Sequence, residues 1–490
     1  MQCVVIGSGC AGLTSALIMA KNGYNVTVVE KSVRTAPLLQ GFERKGFYFD
    51  TGVHCLSGLD AGGPLRSLLE YLNVYEKLTY LPFSKDNSFA VHFPDGLVWQ
   101  MPQGYDALQT SLVALFPQEE KGIKAFLQEV RALSHTYQYN ADFQAIATHP
   151  LASKSFKDVV EQFISEPQVK MCLGILSNLF CGLLESEAPF VFFASSIGTY
   201  FRSSGTFKGG GRALFEAMQA ELTNLDGRIV YNNGVADVIV DDNRQATGVV
   251  LDDGSYLPSD MLIATCHPAC LSDMLPEASL RRVRKTYYQE LESTTSLLGV
   301  YGYTTKPIEE LVQSNVIIAS DTASADDVLS AELPIAKRQM LITSSETTKH
   351  GTSISLFTPA AYTEWARFEG KKPHQRINGY VEKKHAVAAE IVLAATRALP
   401  ELKDSFSIVS VSTPLTIKDY CHAPYGAGYG IKHSVNQLPP TAAFPIKNML
   451  LSGQAIVGPG ILGAMTAGFV TCGDILGHTH LQSEIKNAVK

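Results

Sequence analysis

The opening thirty residues constrain the chain most. Cys3 to Ile6 is a short apolar run of the kind that forms a buried parallel strand. Gly7-x-Gly9-x-x-Gly12 follows at once. Leu13 to Asn22 is helical in pattern and ends at Gly23, and Asn25 to Val29 is a second β-branched run that ends on Glu30. Strand, glycine turn, helix, strand and terminal acid in this register make a βαβ unit with a dinucleotide fingerprint. Gly7 permits the tight turn, Gly9 lets a pyrophosphate approach the backbone, and Gly12 lets the helix pack close to the strand. The helix N-terminus offers free N–H groups and a partial positive charge to phosphates. The Glu30 carboxylate can accept hydrogen bonds from both hydroxyls of an adenosine ribose. A glycine turn alone is common, and the alternative is a structural turn with no ligand; the complete register argues against it.

At 490 residues the chain suits two intertwined domains. A net charge of −7 argues against nucleic acid, which requires a basic surface. Nothing near Met1 resembles a signal peptide, and no apolar run reaches the roughly 20 residues of a membrane span. Nine cysteines are scattered with no CxxC, which leads us to expect buried thiols in a reducing cytoplasm. Cys266-His267-x-x-Cys270 lacks a second ligand pair, so no metal is expected.

Beyond Glu30, Lys31 and Arg34 are either phosphate contacts or solvated surface charges. Phe47 to Asp50 reads as a strand, followed by Gly52, which lets backbone pass close to a flat ligand, then Val53 and His54. His54 is either a hydrogen-bonded structural residue or a group at a reaction centre. Pro64 to Leu72 reads as a helix, and Phe89 to Met101 as a hairpin turning at Pro94-Asp95-Gly96. Tyr105 to Phe116 and Glu119 to Tyr139 read as amphipathic helices. Met171 to Phe201 is strongly apolar: helical core, or the wall of an apolar substrate tunnel with a patch resting on a membrane. Lys208-Gly-Gly-Gly opens a further helix. Gly227 to Asp242, Gly248 to Tyr256 and Ser259 to Thr265 read as short strands around a Gly-containing turn, after which the chain returns to a parallel sheet. Leu291 to Ile431 mixes strands with one long helix, His385 to Leu399, and its Glu364–Gln375 stretch reads as exposed.

Met449 to Leu451 is an apolar strand, Gly453 ends it, and Gly458-Pro-Gly-x-x-Gly463 opens a helix running to Leu476. This second strand, glycine loop and helix offers another set of N–H groups to the same ligand. A nicotinamide seldom needs so late a return, whereas the ribityl chain and ring of a flavin do.

The N-terminal unit, the Gly46–Gly52 stretch, Lys208-Gly-Gly-Gly, the Val235 strand and the Gly453–Gly463 stretch, in this order, resemble the FAD-dependent phytoene desaturase-like flavoproteins. Phe49-Asp-Thr-Gly-Val-His54 and Gly428-Tyr-Gly430 are similar to the branch holding carotenoid isomerases and retinol saturases. The resemblance implies an α/β fold: a Rossmann-type FAD-binding domain of the amine-oxidase and phytoene-desaturase kind with an inserted α+β substrate domain. The expected boundaries are 1–80, 205–275 and 415–490 for the FAD-binding domain, and 81–204 and 276–414 for the substrate domain. Carried over by position, Gly7, Ser8, Gly9, Ala11 and Gly12 hold the pyrophosphate, Glu30 the adenosine ribose, Lys31 a phosphate, and Val235 the adenine through its backbone. Gly52 and Val53 lie near the isoalloxazine. Gly453 and Gln454 meet the ribityl-phosphate, and Leu462, Gly463 and Ala464 present N–H groups to the flavin O2 edge. Two departures stand out. Ala36-Pro37-Leu38 occupies the place of a Gly-Gly pair, and Gln454 that of an acid.

The implied activity is an FAD-dependent oxidoreductase that desaturates, saturates or isomerises C=C bonds of an apolar polyene or isoprenoid such as a carotenoid or retinoid. No acid–base pair is legible; His54 is the catalytic candidate, with Tyr429 and His433 behind it. The expected partners are an apolar small-molecule substrate and a membrane touched peripherally, with no nucleic acid. Two rivals share the dinucleotide unit: a flavin amine or amino-acid oxidase, and a non-enzymatic prenyl-binding escort of the GDI type. The first needs an aromatic cage and a polar anchor, and neither Trp99 nor Trp365 lies near the C-terminal glycine stretch. The second has no use for Gly453–Gly463.

Overall fold

The computed structural model describes residues 1–34, 37–134, 149–322, 325–330 and 332–489. Five strands form a parallel sheet in the order Arg228–Val230, Asn25–Val29, Gln2–Ile6, Met261–Ala264, Met449–Leu451. Both faces are covered, and this is why its central strands are apolar throughout instead of alternating. Cys3, Val5, Val26 and Val28 point to a layer formed by the helices Cys10–Lys21, Gly210–Asn224 and Gly460–Leu476. Val4, Ile6 and Val29 point the other way, into a three-stranded antiparallel meander, Val235–Val240, Ala246–Leu251 and Tyr256–Pro258.

A seven-stranded sheet stands apart from it, in the order Ser407–Ser412, Ser296–Thr304, Gly351–Ala360, Met340–Thr348, Asn315–Ile318, Phe89–His92, Val98–Met101. All its pairings are antiparallel except Asn315–Ile318 with Phe89–His92. One face packs on the helix Tyr380–Ala398. The other packs on an aromatic-rich cluster that includes the helices Glu120–Ser134, Pro167–Cys181 and Phe190–Arg202.

The hairpin at Phe89–Met101 and the helix Tyr105–Leu115 form where the pattern places them. The next helix is described over Glu120–Ser134; the remainder of its expected span, 135–139, lies outside the described residues, as does Ala36. Three expectations need correction. The long helix begins at Tyr380, not His385, because Gly379 takes a left-handed turn at φ 87° and Tyr380 tucks against Trp365 and Phe368. In the Glu364–Gln375 stretch Arg367 and the residues from Lys371 on are exposed, whereas Trp365 and Phe368 are core and Glu364 pairs with the buried Arg338. Met171–Phe201 contains no exposed residue, since its two helices pack face to face with the sheet and with each other. A membrane patch on that stretch therefore has no side chain to offer. No described helix is long and apolar enough to cross a membrane.

Candidate functional site

The two glycine turns meet. Thr265, just past the strand Met261–Ala264 that pairs with the central strand Gln2–Ile6, fixes the first. Its Oγ1 donates to the Ile6 carbonyl at 2.8 Å, and a Cβ on Gly7 would fall 2.6 Å from that same oxygen. A Cβ on Gly12 would run into the Gly7 carbonyl, so the helix can start this close to the strand only with glycine there. At the second turn a Cβ on Gly463 would sit 2.5 Å from the Gly458 carbonyl, the same close approach. The helices Cys10–Lys21 and Gly460–Leu476 pack side by side. Cys10 Sγ reaches the Ile461 carbonyl at 3.9 Å, and Gly468 lies against Thr14. Gly453 lies over Ala11. Neither helix has a side-chain N-cap or an acid in its first turn, so both positive ends are free for an anionic ligand.

Glu30 is buried at 7% exposure at the tip of its strand. One carboxylate oxygen accepts from the Ser8 N–H at 2.8 Å and the Ser8 hydroxyl at 2.7 Å; the other accepts from the Ser32 N–H at 2.9 Å. These donors keep the carboxylate in place, and lone pairs remain for a ribose. Val235 arrives at the same corner: Asn233 N–H donates to the Glu30 carbonyl, and the Lys31 stem packs against Gly234. Lys31 and Arg34 themselves are exposed.

Gly52 and Val53 are held between two helix starts. Gly52 faces the Leu38 carbonyl, and Val53 packs beneath Gly211. The neighbouring Asp50 accepts from Gly211 N–H at 3.1 Å and from the Tyr48 hydroxyl at 2.9 Å; burial pushes its carboxyl up to about 7. Just beyond, a crevice opens at the N-terminus of the Gly460–Leu476 helix. It is walled by Leu56, Ser57, Leu65, Phe180, Phe192, Ser196, Thr199, Tyr200 and residues Pro459 to Gly463. Phe180 and Tyr200 stack with centroids 4.9 Å apart, and the Ser57 and Thr199 hydroxyls share a hydrogen bond at 2.6 Å. No lining residue is charged at neutral pH.

The candidate acid–base groups lie around this crevice, not in it. His54 packs on Phe357 at 4.4 Å, its Nδ1 buried without a partner among the described residues, and burial pulls its pKa down to about 4. His433 is also neutral, pulled down to about 4 by burial. Its Nε2 lies 2.6 Å from the Gln454 carbonyl, which can only accept, so the proton is on Nε2. The Gln454 side chain turns to Gly430. The Tyr429 hydroxyl donates to the Leu179 carbonyl. Cys266 and Cys270 are free thiols, and His267 Nδ1 caps the Pro268–Asp273 helix by accepting from Ala269 N–H at 3.2 Å. No group of side chains suited to a metal occurs among the described residues.

Sequence reasoning missed Thr265 and Ser32, and it left the aromatic wall open between helical core and tunnel wall. Thr265 ends an apolar strand, a position that could have been flagged. Phe180, Phe192 and Tyr200 sit among other aromatics on helices, and nothing local separates a wall residue from a core one.

A parallel sheet with two glycine turns converging on one uncapped pair of helices, beside an uncharged crevice, defines a dinucleotide-dependent oxidoreductase. Residues 10–387 match the family described as flavin containing amine oxidoreductase, and the chain belongs to that family. FAD is its cofactor. The sequence is 24% identical to an all-trans-retinol 13,14-reductase of Danio rerio, over all of this chain and 88% of the relative. It is 23% identical to prolycopene isomerase 1, chloroplastic, of an Oncidium hybrid cultivar, over 84% of this chain and 72% of the relative. A triple mutant of putrescine oxidase has the same fold, with a TM-score of 0.67 at 15% identity, covering 97% of this chain and 99% of that one.

Proposed function

We propose that the protein is an FAD-dependent oxidoreductase acting on C=C bonds of an apolar polyene or isoprenoid, by desaturation, saturation or cis–trans isomerisation. The observation that carries the reading is the crevice at the Gly460–Leu476 helix: aromatic and aliphatic walls, a few hydroxyls, and no charged group. Such a lining favours a long apolar molecule and offers a cationic amine no counter-charge. The names of the retinol reductase and the prolycopene isomerase support the same class.

In this reading residues 1–80, 205–275 and 415–490 form the FAD-binding domain, and 81–204 and 276–414 the substrate domain. Gly7, Ser8, Gly9, Ala11 and Gly12 bind the pyrophosphate, Glu30 the ribose, and Lys31 and Val235 the adenosine end. Gly52, Val53, Gly453, Gln454, Leu462, Gly463 and Ala464 surround the ribityl chain and ring. FAD bound there supplies the hydride chemistry. The chain's own residues orient the substrate, exclude water and, through the neutral His54, hold a hydrogen-bonding nitrogen near the reacting end. The protein meets its substrate at a membrane surface.

A visible spectrum and anaerobic incubation with a carotenoid or retinoid in liposomes test this. Flavin bands that bleach on adding the polyene mean desaturation. Product that appears only after chemical reduction of the flavin means saturation or isomerisation. Flavin bands with no product under either condition overturn the substrate class. Bleaching by a primary amine instead selects the amine oxidase, a reading that the family description favours. A colourless protein with no flavin after denaturation selects the escort.

A further inference from the structure

The inference concerns a surface the proposed chemistry does not use. Ile377 and Val381 are each 52% exposed, and Tyr420 and Tyr425 are 55% and 63% exposed. They belong to one face. His374 N–H and the Arg376 guanidinium both donate to Asp419, at 2.8 and 2.7 Å, which ties the loop before Ile377 to the helix Pro414–Cys421. The His374 ring meets Tyr420 at 4.8 Å, and Tyr362, bonded to Lys418, meets Tyr425 at 5.6 Å. Ile377 precedes the helix Tyr380–Ala398 and accepts from the Tyr380 N–H at 3.3 Å, and Val381 lies in the first turn of that helix.

The face is a cationic island on an anionic chain. Between Arg367 and His385 there are six Lys and Arg residues and two carboxylates, on a protein of net charge −7. Of the two, Glu369 is taken up by Lys418 and Glu382 is exposed, while Asp419 across the face is taken up by Arg376. Lys371 and Lys372 are exposed, Lys383 and Lys384 lie over the rings of Trp365 and Tyr380, and none of the four is in an ion pair among the described residues. The backbone here is held unfavourably. Nine described non-glycine residues have a left-handed φ, and three of them, His374 at 63°, His422 at 52° and Tyr425 at 54°, belong to this face. Tyr425 holds this strained backbone with its ring 63% exposed.

We propose that this face docks on a bilayer carrying anionic lipids. Lysines answer the headgroup charge, the tyrosines sit at interfacial depth, and Ile377 and Val381 insert beneath them. A flat acidic protein would answer the lysines but would leave two isolated aliphatic side chains without a pocket. The choice of a bilayer rests on the polyene reading, since such a substrate partitions into lipid.

The test is flotation of the FAD-loaded full chain with empty vesicles of phosphatidylcholine alone or mixed with phosphatidylglycerol. The expected result is co-flotation with the mixed vesicles, lost in high salt and absent with phosphatidylcholine. Lys371→Glu with Lys372→Glu should abolish it. Tyr425→Gly with Val381→Ser should weaken it at least tenfold, while the thermal midpoint holds or rises and turnover of detergent-dispersed polyene is unchanged. Flotation that persists in both variants overturns the proposal. So does an absence of flotation by the parent chain, or retention on polyglutamate resin without vesicle binding, which would substitute an acidic protein. Empty vesicles contain no substrate, so this failure and a failure of polyene turnover are read separately.

Discussion

The two glycine turns use one local device in different company. At Gly7–Gly12 the neighbours are polar and belong to the parallel-sheet unit: Thr265, the Ile6 carbonyl, and Ser8 bridging to Glu30. At Gly458–Gly463 the neighbour is Phe192, from the helix Phe190–Arg202, whose ring edge lies 2.6 Å from where a Cβ on Gly458 would sit. Phe192 also stacks on His433 at 5.9 Å, and His433 holds the Gln454 carbonyl. In the proposed reading the first turn is sealed within the FAD-binding domain, as suits the nucleotide end of a ligand that never reacts, and the second is wedged against the substrate domain. A single backbone geometry thus becomes an anchor or a contact point according to what packs on it.

The sharpest way to break the comparison is an alanine at each closing glycine. Gly12→Ala pushes a methyl into the Gly7 carbonyl and should cost about 3 kcal/mol, so the purified protein should lack flavin absorbance while far-ultraviolet circular dichroism reports the fold. Gly463→Ala meets its carbonyl at a longer 2.5 Å and should keep part of its flavin. Equal loss in both would mean the turns are equivalent anchors.

Glu30→Gln tests the polar end alone. It weakens acceptors of three hydrogen bonds, and at about 2 kcal/mol for a charged acceptor the FAD dissociation constant should rise roughly thirtyfold. Fluorescence titration of deflavinated protein reads it; an unchanged constant would remove Glu30 from the ribose. Phe192→Ala tests the apolar end. Flavin content should remain stoichiometric while kcat/KM for the polyene falls about tenfold, a loss near 1.4 kcal/mol. Loss of flavin instead would make Phe192 a cofactor support.

The smallest effect at neutral pH is expected at His433. In the folded chain its pKa is pulled down to about 4, whereas an unfolded imidazole takes up its proton near 6.5. Between these values the unfolded state binds more protons, so acid removes stability. His433→Gln keeps a donor for Gln454 but does not titrate, and its loss on going from pH 7 to pH 4 should be smaller by up to about 3 kcal/mol. Thermal midpoints across that range decide it; parallel curves would mean His433 is already charged in the fold.

Much of the parallel-sheet unit was legible because each part is local. Cys3–Ile6, the glycine turn and Glu30 fall within thirty residues, and period and spacing are enough. The closing strand Met449–Leu451 was legible for the same reason, as an apolar run before glycines. The seven-stranded sheet was not. The pairing of Asn315 with Phe89, parallel and more than two hundred residues away, leaves no trace in either segment. Trp365 and Phe368 were misjudged because charged neighbours masked two aromatics that turn inward. At the site, Gly7 and Gly12 were readable, while Thr265, which braces them, comes from far along the chain and has no motif of its own.

Cys10 and Ile461 touch across 451 positions of sequence, and that separation sets an order of events during synthesis. A ribosome makes the first turn 451 residues before the one it packs against. Through the synthesis of everything between them the emerging polypeptide has one turn and not the other. A messenger cut short anywhere before the Gly460–Leu476 helix therefore encodes a chain with the first turn alone.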